Sequence, residues 1–141
     1  MADALYKTKA ISKGGRNGGK IALEVGGLWI HTEHSKGLGG SGEGANPEQL
    51  FAMGYAACFD NALPVAAKQL GLAPTGTRTS VEVGIGQTAT GGYALDVDLH
   101  VEVQGLDEAA ARKLVEATHQ VCPYSNATRG NIDVRLHVSV A

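Results

Sequence analysis

The chain has 141 residues, of which 43% are hydrophobic and 18% charged, and its formal net charge is −2. This length and composition suit a globular protein with one ordinary core, and we expect a single domain over residues 1–141. The absence of a basic block argues against nucleic acid as a partner. The N-terminus lacks a secretory pattern and no apolar run reaches the length of a membrane span, so we expect a cytoplasmic protein without a membrane partner.

Strands and loops are predicted for the first third of the chain. The apolar stretch 21–30 is interrupted by a Gly-Gly pair, which indicates a β-hairpin. Upstream, the glycine-rich segment 14–19 predicts a loop that can present and move the side chain of Arg16. A second glycine-rich segment, 37–44, lacks the lysine of a phosphate-binding loop, so we interpret it as a flexible connection.

A long helix is predicted next. Asn46 is the expected N-cap, Pro47 the first helical residue, and Gly71 ends the helix. Apolar residues occupy nearly every face, which predicts a central, buried helix. Pro64 cannot donate a backbone hydrogen bond, so we expect a kink or break soon after Cys58.

The second half of the chain predicts strands around two helical segments. Strands are expected over 80–86 and over 93–104, where apolar and polar residues alternate. A second helix begins near Asp107 and is stopped by Pro123; a short turn or helix and a last strand, 132–140, follow. This order predicts an α+β fold with a curved antiparallel sheet against long helices.

The chain has two cysteines, Cys58 in the first helix and Cys122 at the end of the second. Free cysteine is among the most buried residue types, so two inert packed thiols are the simplest interpretation. The alternative is redox chemistry, in which one thiol is oxidised and the other rescues it. A permanent structural disulfide is unusual in a cytosolic protein.

The surroundings of Cys58 leave both interpretations open. Gly54 and Ala62 lie one turn on either side of Cys58 and would leave a notch above its sulfur. The side chains expected to line this notch, and so to bind an apolar substrate, are Phe51, Tyr55 and Phe59.

A thiol in an apolar notch reacts only when a cation stabilises its thiolate. Asp60 would oppose that if it faced the sulfur. Arg16 is the best candidate for the cation, and Glu48 is the carboxylate that would orient the guanidinium.

Two long motifs resemble a known family. Asn-Pro-Glu-Gln-Leu-Phe leads to Gly-Tyr-Ala-Ala-Cys-Phe over 46–59, and Val-Cys-Pro-Tyr-Ser-Asn-Ala-Thr-Arg-Gly-Asn-Ile covers 121–132. With the segments 14–18 and 83–86, they are similar to the organic hydroperoxide resistance proteins, a branch of the Ohr/OsmC family. The resemblance covers essentially the whole chain.

The resemblance implies an OsmC-like fold, with curved antiparallel sheets packed on long central helices in an intertwined homodimer. It implies a thiol peroxidase that reduces organic hydroperoxides and is re-reduced by a dithiol on a lipoylated protein. We expect no cofactor and no metal, because the histidines of the chain form no convincing metal-binding pattern. By position, Cys58 matches the peroxidatic cysteine and Cys122 the resolving cysteine. Arg16 matches the activating arginine and Glu48 its partner.

Some features depart from the family pattern or leave alternatives open. Asp60 and Pro64 are unusual at their positions, and we expect Tyr124 and Arg129 to be structural residues that fix the turn at Cys122. The alternative functions are a peroxidase of the sister OsmC branch and a non-enzymatic redox sensor or hydrophobic-ligand binder. A thioredoxin-type oxidoreductase is disfavoured, because its cysteines would be two residues apart.

Overall fold

The structure, a computed structural model, describes residues 3–15 and 18–141. The chain divides into two compact units, residues 1–50 and 51–141. The first long helix, α1 (Pro47–Leu70), begins at the end of the first unit and continues into the second. The expectation of a single domain over 1–141 stays a prediction.

The first unit contains a small antiparallel sheet. Its strands are β1 (Ala10–Lys13), β2 (Gly19–Leu23) and β3 (Trp29–Thr32), in the order β1-β2-β3. The predicted hairpin is confirmed, since β2 and β3 pair around the Gly-Gly turn. The glycine-rich segment after β3 is more ordered than a flexible connection: it contains a 3-10 helix over Lys36–Leu38 and returns backbone hydrogen bonds to residues 34 and 35.

Both ends of α1 are capped by their own sequence. The Asn46 side chain accepts from the Gln49 backbone N–H at 2.9 Å, and the Gln49 side chain accepts from the Asn46 N–H at 3.0 Å, which forms a reciprocal capping box. At the other end Gly71 takes a φ of 68°, and the Leu72 N–H reaches the Ala67 carbonyl at 2.9 Å. This pattern is a Schellman motif, so both predicted ends are confirmed.

Of the kink or break predicted soon after Cys58, the break is wrong, because α1 is one continuous helix from residue 47 to residue 70, and the kink stays a prediction. Pro64 removes one backbone hydrogen bond, that to the carbonyl of Asp60. Both residues are exposed in the single chain, where water can satisfy a carbonyl on the solvent side of a helix. The helix therefore continues through the proline.

The second unit is built on a three-stranded sheet. Its strands are β4 (Gly76–Gln87), β5 (Tyr93–Gln104) and β6 (Val134–Val140), in the order β4-β5-β6. The predicted antiparallel pairing holds for β4 with β5, whereas β5 and β6 are parallel. The reason is the connection: two helices, α2 (Glu108–Val121) and α3 (Pro123–Thr128), carry the chain back to the end of the sheet where β5 began.

The core of the second unit lies between this sheet and one face each of α1 and α2. The predicted alternation of β5 is confirmed, since its apolar side chains from residue 97 to residue 103 are buried and the intervening ones are exposed or half-buried. They pack with buried residues of α1 and with the Ala111, Leu114 and Val115 side chains of α2.

In the single chain α1 is buried on one face and not on nearly every face. The opposite face exposes apolar side chains, with Met53 64% and Val65 48% accessible. Among the described residues, α1 is also the helix whose length and composition would allow it to cross a membrane, which corrects the expectation that no apolar run is long enough. The core helix of a soluble protein has the same composition, and the buried face of α1 packs as such a helix does.

The left-handed backbone at Gly71 predicts a specific sensitivity to substitution. An alanine Cβ would meet nothing within 4 Å at Gly71 or at Gly86, but only Gly71 has a positive φ. We expect Gly71→Ala to lower the free energy of unfolding by about 1–2 kcal/mol, measured by urea denaturation. Gly86→Ala is the matched control and should change it little. Equal losses in the two variants would contradict this account of the end of α1.

Candidate active site

The two cysteines, far apart in sequence, meet in the fold. Both are free thiols, and the Cys122 sulfur donates a hydrogen bond to the Cys58 sulfur across 3.5 Å. Cys122 is fully buried, whereas Cys58 is half-buried and so retains access to solvent. A disulfide has its sulfur atoms about 2.05 Å apart, so when an oxidant removes two electrons only a small approach of the two side chains is needed to form one.

Cys122 owes its position to the break between two helices. It caps the end of α2, where its backbone N–H reaches the Thr118 carbonyl at 2.9 Å, and it is also the N-cap of α3. Pro123 follows as the first residue of α3, a position where proline is favoured. This junction holds an extended Cys122 between two helices and turns its sulfur toward α1.

The described surroundings of Cys58 raise the pKa of its thiol above the ordinary value. The largest cause is burial, which disfavours the charged thiolate, and the neighbouring Cys122 adds to it. The backbone N–H of Tyr124, at the start of α3, hydrogen-bonds to the sulfur and lowers the pKa, but it does not overcome the burial. A reactive thiolate at this position therefore requires positive charge from another group.

Asp60, two residues after Cys58, does not act on the sulfur. Its carboxylate is exposed and accepts a hydrogen bond from the Thr77 hydroxyl of β4 at 3.2 Å. Within residues 3–15 and 18–141, the pKa of Cys58 is shifted by its own burial, by Tyr124 and by Cys122. The unusual acid at this position is thus held away from the thiol.

The notch predicted at Gly54 is occupied by an aromatic side chain. A Cβ at Gly54 would lie 3.0 Å from the Tyr124 hydroxyl and 3.1 Å from its ring. The Tyr124 ring also packs against Tyr55 and Phe51, with ring centroids 5.8 and 6.4 Å apart. Glycine at position 54 therefore admits the Tyr124 side chain, which fills the predicted notch.

The predicted substrate-binding residues differ in exposure. Phe51 is half-buried beside Tyr55 and Tyr124, whereas Tyr55 and Phe59 are fully buried in the core of the second unit. In the single chain, then, Phe51 and the 39% exposed Tyr124 offer apolar surface near Cys58. Substrate contact by any of these residues stays a prediction.

A buried polar cluster, which the sequence analysis missed, lies behind the cysteine pair. The Ser125 hydroxyl is 2.7 Å from the Tyr55 hydroxyl and 2.8 Å from Nδ1 of His119. Burial lowers the pKa of His119, and the positive charge of Arg129 lowers it further. The spacing of His119, Cys122 and Ser125, three residues apart in turn, was the available signal for side chains gathered at one helix junction.

Of the two charged residues predicted for the site, the structure describes only Glu48. Arg16 lies outside the described residues. Glu48 is half-buried in the first turn of α1, ten residues before Cys58 on the same unbroken helix, or about 15 Å along its axis. Two residues after Arg16 in the sequence, the Gly18 backbone N–H donates to the Glu33 carboxylate at 3.0 Å. This hydrogen bond fixes the chain at Gly18.

Other features of the second unit do not compete with the cysteine pair. An open, largely apolar groove of about 480 Å³ lies at the far end of α1, between Leu63 and Thr77, and neither cysteine lines it. Within residues 3–15 and 18–141, no group of three or more His, Cys, Asp or Glu side chains is placed to hold a metal ion. Among the described residues, the thiol pair is the candidate active site that this geometry presents.

Comparison with known proteins decides the family. Residues 40–137 match the family described as OsmC-like protein. The chain belongs to this family. It is 47% identical over 134 residues to the organic hydroperoxide resistance protein of Xanthomonas axonopodis pv. citri, which covers 94% of this chain and 93% of the relative. It is 38% identical to the organic hydroperoxide resistance protein OhrB of Bacillus subtilis, over 96% of this chain and 98% of that protein.

Solved structures of this OsmC-like family agree with the fold. An organic hydroperoxide resistance protein from Elizabethkingia anophelis is 46% identical and superposes with a TM-score of 0.93, over 99% of this chain and 100% of that one. A protein of the same description from Legionella pneumophila is 44% identical with a TM-score of 0.93, over 98% and 100% of the two chains. The resemblance to the hydroperoxide resistance branch and the expected α+β, OsmC-like fold are confirmed.

Proposed function

We propose that this protein is a cysteine-based peroxidase that reduces organic hydroperoxides, including those of fatty acids, to alcohols. The observation that carries the proposal is the pair of free thiols 3.5 Å apart, one accessible and one buried. The names of its relatives, organic hydroperoxide resistance proteins, support the substrate class. The aromatic surface formed by the half-buried Phe51 and the exposed Tyr124 is suited to an alkyl chain.

In the first step, the Cys58 thiolate attacks the distal oxygen of the hydroperoxide. The O–O bond breaks as the S–O bond forms, so the sulfur is oxidised to a sulfenic acid and the peroxide is reduced by two electrons. The alkoxide that leaves takes up a proton to give the alcohol. Arg16 supplies the positive charge that thiolate and departing alkoxide both need, and Glu48 orients its guanidinium.

In the second step, Cys122 attacks the sulfenic sulfur. The S–S bond forms and the S–O bond breaks, and the thiol proton of Cys122 leaves with the hydroxyl as water. The short distance between the sulfur atoms favours this closure over further oxidation of Cys58. An external dithiol, which we propose to be that of a lipoylated protein, then reopens the disulfide by exchange.

The active unit that we propose is a homodimer, for two reasons. The apolar side chains that α1 exposes in the single chain require a cover. In addition, Glu48 and Cys58 are about 15 Å apart along an unbroken helix, and helical side chains lean toward the N-terminus, so Glu48 leans away from Cys58. In a two-fold dimer, Glu48 of one chain can lie beside Cys58 of its mate.

The peroxidase proposal predicts different failures for the two cysteine variants. With dihydrolipoamide as reductant, Cys58→Ser should consume no hydroperoxide, because it lacks the thiol that accepts oxygen. Cys122→Ser should be oxidised once and stall, with sulfenic or more oxidised acid at Cys58 by mass spectrometry. A wild-type protein that is oxidised once and does not turn over would instead be a redox sensor.

The same assay tests the substrate class. Each buried methylene contributes about 0.8 kcal/mol, so alkyl hydroperoxides should react faster than hydrogen peroxide by several tenfold steps. Equal rate constants would contradict the apolar site, and oxygen adducts at Cys122 in the Cys58→Ser protein would reverse the two roles.

A further prediction concerns the charge that activates Cys58. The described surroundings raise the pKa of its thiol, so the reactive thiolate is favoured only above that pKa. Without Arg16 the pKa should rise, and alkylation of Cys58 by iodoacetamide should need a higher pH in Arg16→Ala than in wild type, both in a Cys122→Ser background. Lys13→Ala removes an exposed cation of β1, three residues before Arg16 in the sequence, and should leave the profile unchanged. If Arg16→Ala also leaves it unchanged, the cation comes from another group.

The dimer proposal predicts complementation between two inactive chains. Cys58→Ser and Glu48→Ala chains should each be nearly inactive alone. In a purified mixed dimer, the shared-site arrangement gives one intact site with Cys58 from one chain and Glu48 from the other, so activity should return to about half of wild type per dimer. A mixed dimer as inactive as its parents would show that both residues serve the site from the same chain.

A further inference from the structure

Three helices of the second unit are joined by one buried hydroxyl. Ser125 of α3 is 2.7 Å from the Tyr55 hydroxyl of α1 and 2.8 Å from Nδ1 of His119 in α2. Ser125 and Tyr55 are fully buried. We call these three side chains the hydroxyl junction.

The hydroxyl junction lies one helical turn from each thiol. Tyr55 precedes Cys58 by three residues, and Ser125 follows Cys122 by three. The hydroxyl junction therefore ties α3 to α1 at the point where the Tyr124 N–H meets the Cys58 sulfur and Cys122 approaches it at 3.5 Å.

The hydroxyl junction can be fully hydrogen-bonded in either of two directions. The lowered pKa of His119 favours a neutral ring, whose Nδ1 is an acceptor in one tautomer and a donor in the other. Ser125 either donates to Nδ1 and accepts from the Tyr55 hydroxyl, or accepts from Nδ1–H and donates to the Tyr55 hydroxyl. Each member has a partner, as buried polar groups require.

We propose that Ser125, with Tyr55 and His119, is a positioning residue for both reactive thiols. The hydroxyl junction holds the start of α3 against α1, so that Cys58 keeps the Tyr124 N–H and stays within reach of Cys122. Its effect on disulfide closure rests on the proposed function, whereas its effect on the Cys58 thiol does not. Among the described residues, Cys122 is the titratable side chain that shifts the pKa of Cys58, so a Cys122→Ser background leaves burial and the Tyr124 N–H as the described causes of any shift.

The test compares Tyr55→Phe and Ser125→Ala with wild type. Tyr55→Phe removes the hydroxyl but keeps the ring that packs against Phe51 and Tyr124, so we expect this variant to retain the fold. In the Cys122→Ser background, the pH dependence of iodoacetamide alkylation should show a higher pKa for Cys58 in both variants. With Cys122 present, disulfide closure after one equivalent of alkyl hydroperoxide should slow about tenfold to a hundredfold, as a misplacement of about 1 Å can cause.

Thr118→Val is the matched control for loss of a buried hydroxyl. Thr118 is fully buried in α2, and its hydroxyl donates to the Leu114 carbonyl of the same helix at 2.7 Å, so it joins no second helix. This variant should lose thermal stability but keep the wild-type alkylation profile and closure rate. If Tyr55→Phe and Ser125→Ala keep them as well, the hydroxyl junction only stabilises the fold and the proposal is overturned.

The two readouts separate this proposal from the proposed function. Alkylation of Cys58 requires no peroxidase activity. If wild type does not turn over hydroperoxide, the peroxidase proposal fails while the alkylation profiles still decide whether the hydroxyl junction positions the thiol. A second outcome is that the wild type turns over hydroperoxide normally while Tyr55→Phe and Ser125→Ala keep the wild-type alkylation profile and disulfide closure rate. In that case the peroxidase proposal stands and the hydroxyl-junction proposal fails.

Discussion

The chemistry of this protein depends on the contact between the start of α3 and the middle of α1. That contact brings Cys122 to 3.5 Å from Cys58 and gives the Cys58 sulfur a hydrogen bond from the Tyr124 backbone. It is possible because Gly54 has no side chain and so admits the Tyr124 ring. A proline after Cys122 enforces the break between α2 and α3 that presents the thiol.

The same burial that protects the thiol pair works against its reactivity. Removing Cys58 from water raises the pKa of its thiol, and the one backbone donor described beside it does not compensate. A site built in this way keeps Cys58 protonated unless a cation completes it. This is the physical reason for giving Arg16, which the structure does not describe, a part in the proposed mechanism.

Features set by local sequence were predictable. The capped ends of α1, the alternation of β5 and the start of α2 at Asp107, whose carboxylate accepts from the Ala110 N–H at 2.8 Å, follow from side chains near one another in the chain. Features set by distant partners were not. The parallel pairing of β5 with β6 depends on the path of α2 and α3, which the strand patterns do not encode.

The candidate site was also predictable in part from the sequence. The motifs around both cysteines pointed to a thiol pair, because their residue types are specific over many positions. The occupant of the notch at Gly54 was missed, since a small residue indicates space but not what fills it. The exposed face of α1 is a different case. Its apolar residues predicted that this face would be buried, but a single chain leaves it exposed.

One measurement tests the central claim most directly. Reduced wild-type protein is mixed with one equivalent of an alkyl hydroperoxide, quenched with an alkylating agent, and analysed by peptide mass spectrometry alongside the organic product. The account predicts one equivalent of alcohol, the loss of both free thiols and a peptide pair linked through Cys58 and Cys122. Consumption of the hydroperoxide with both thiols still free, or a disulfide that joins any other pair of sulfur atoms, would contradict it.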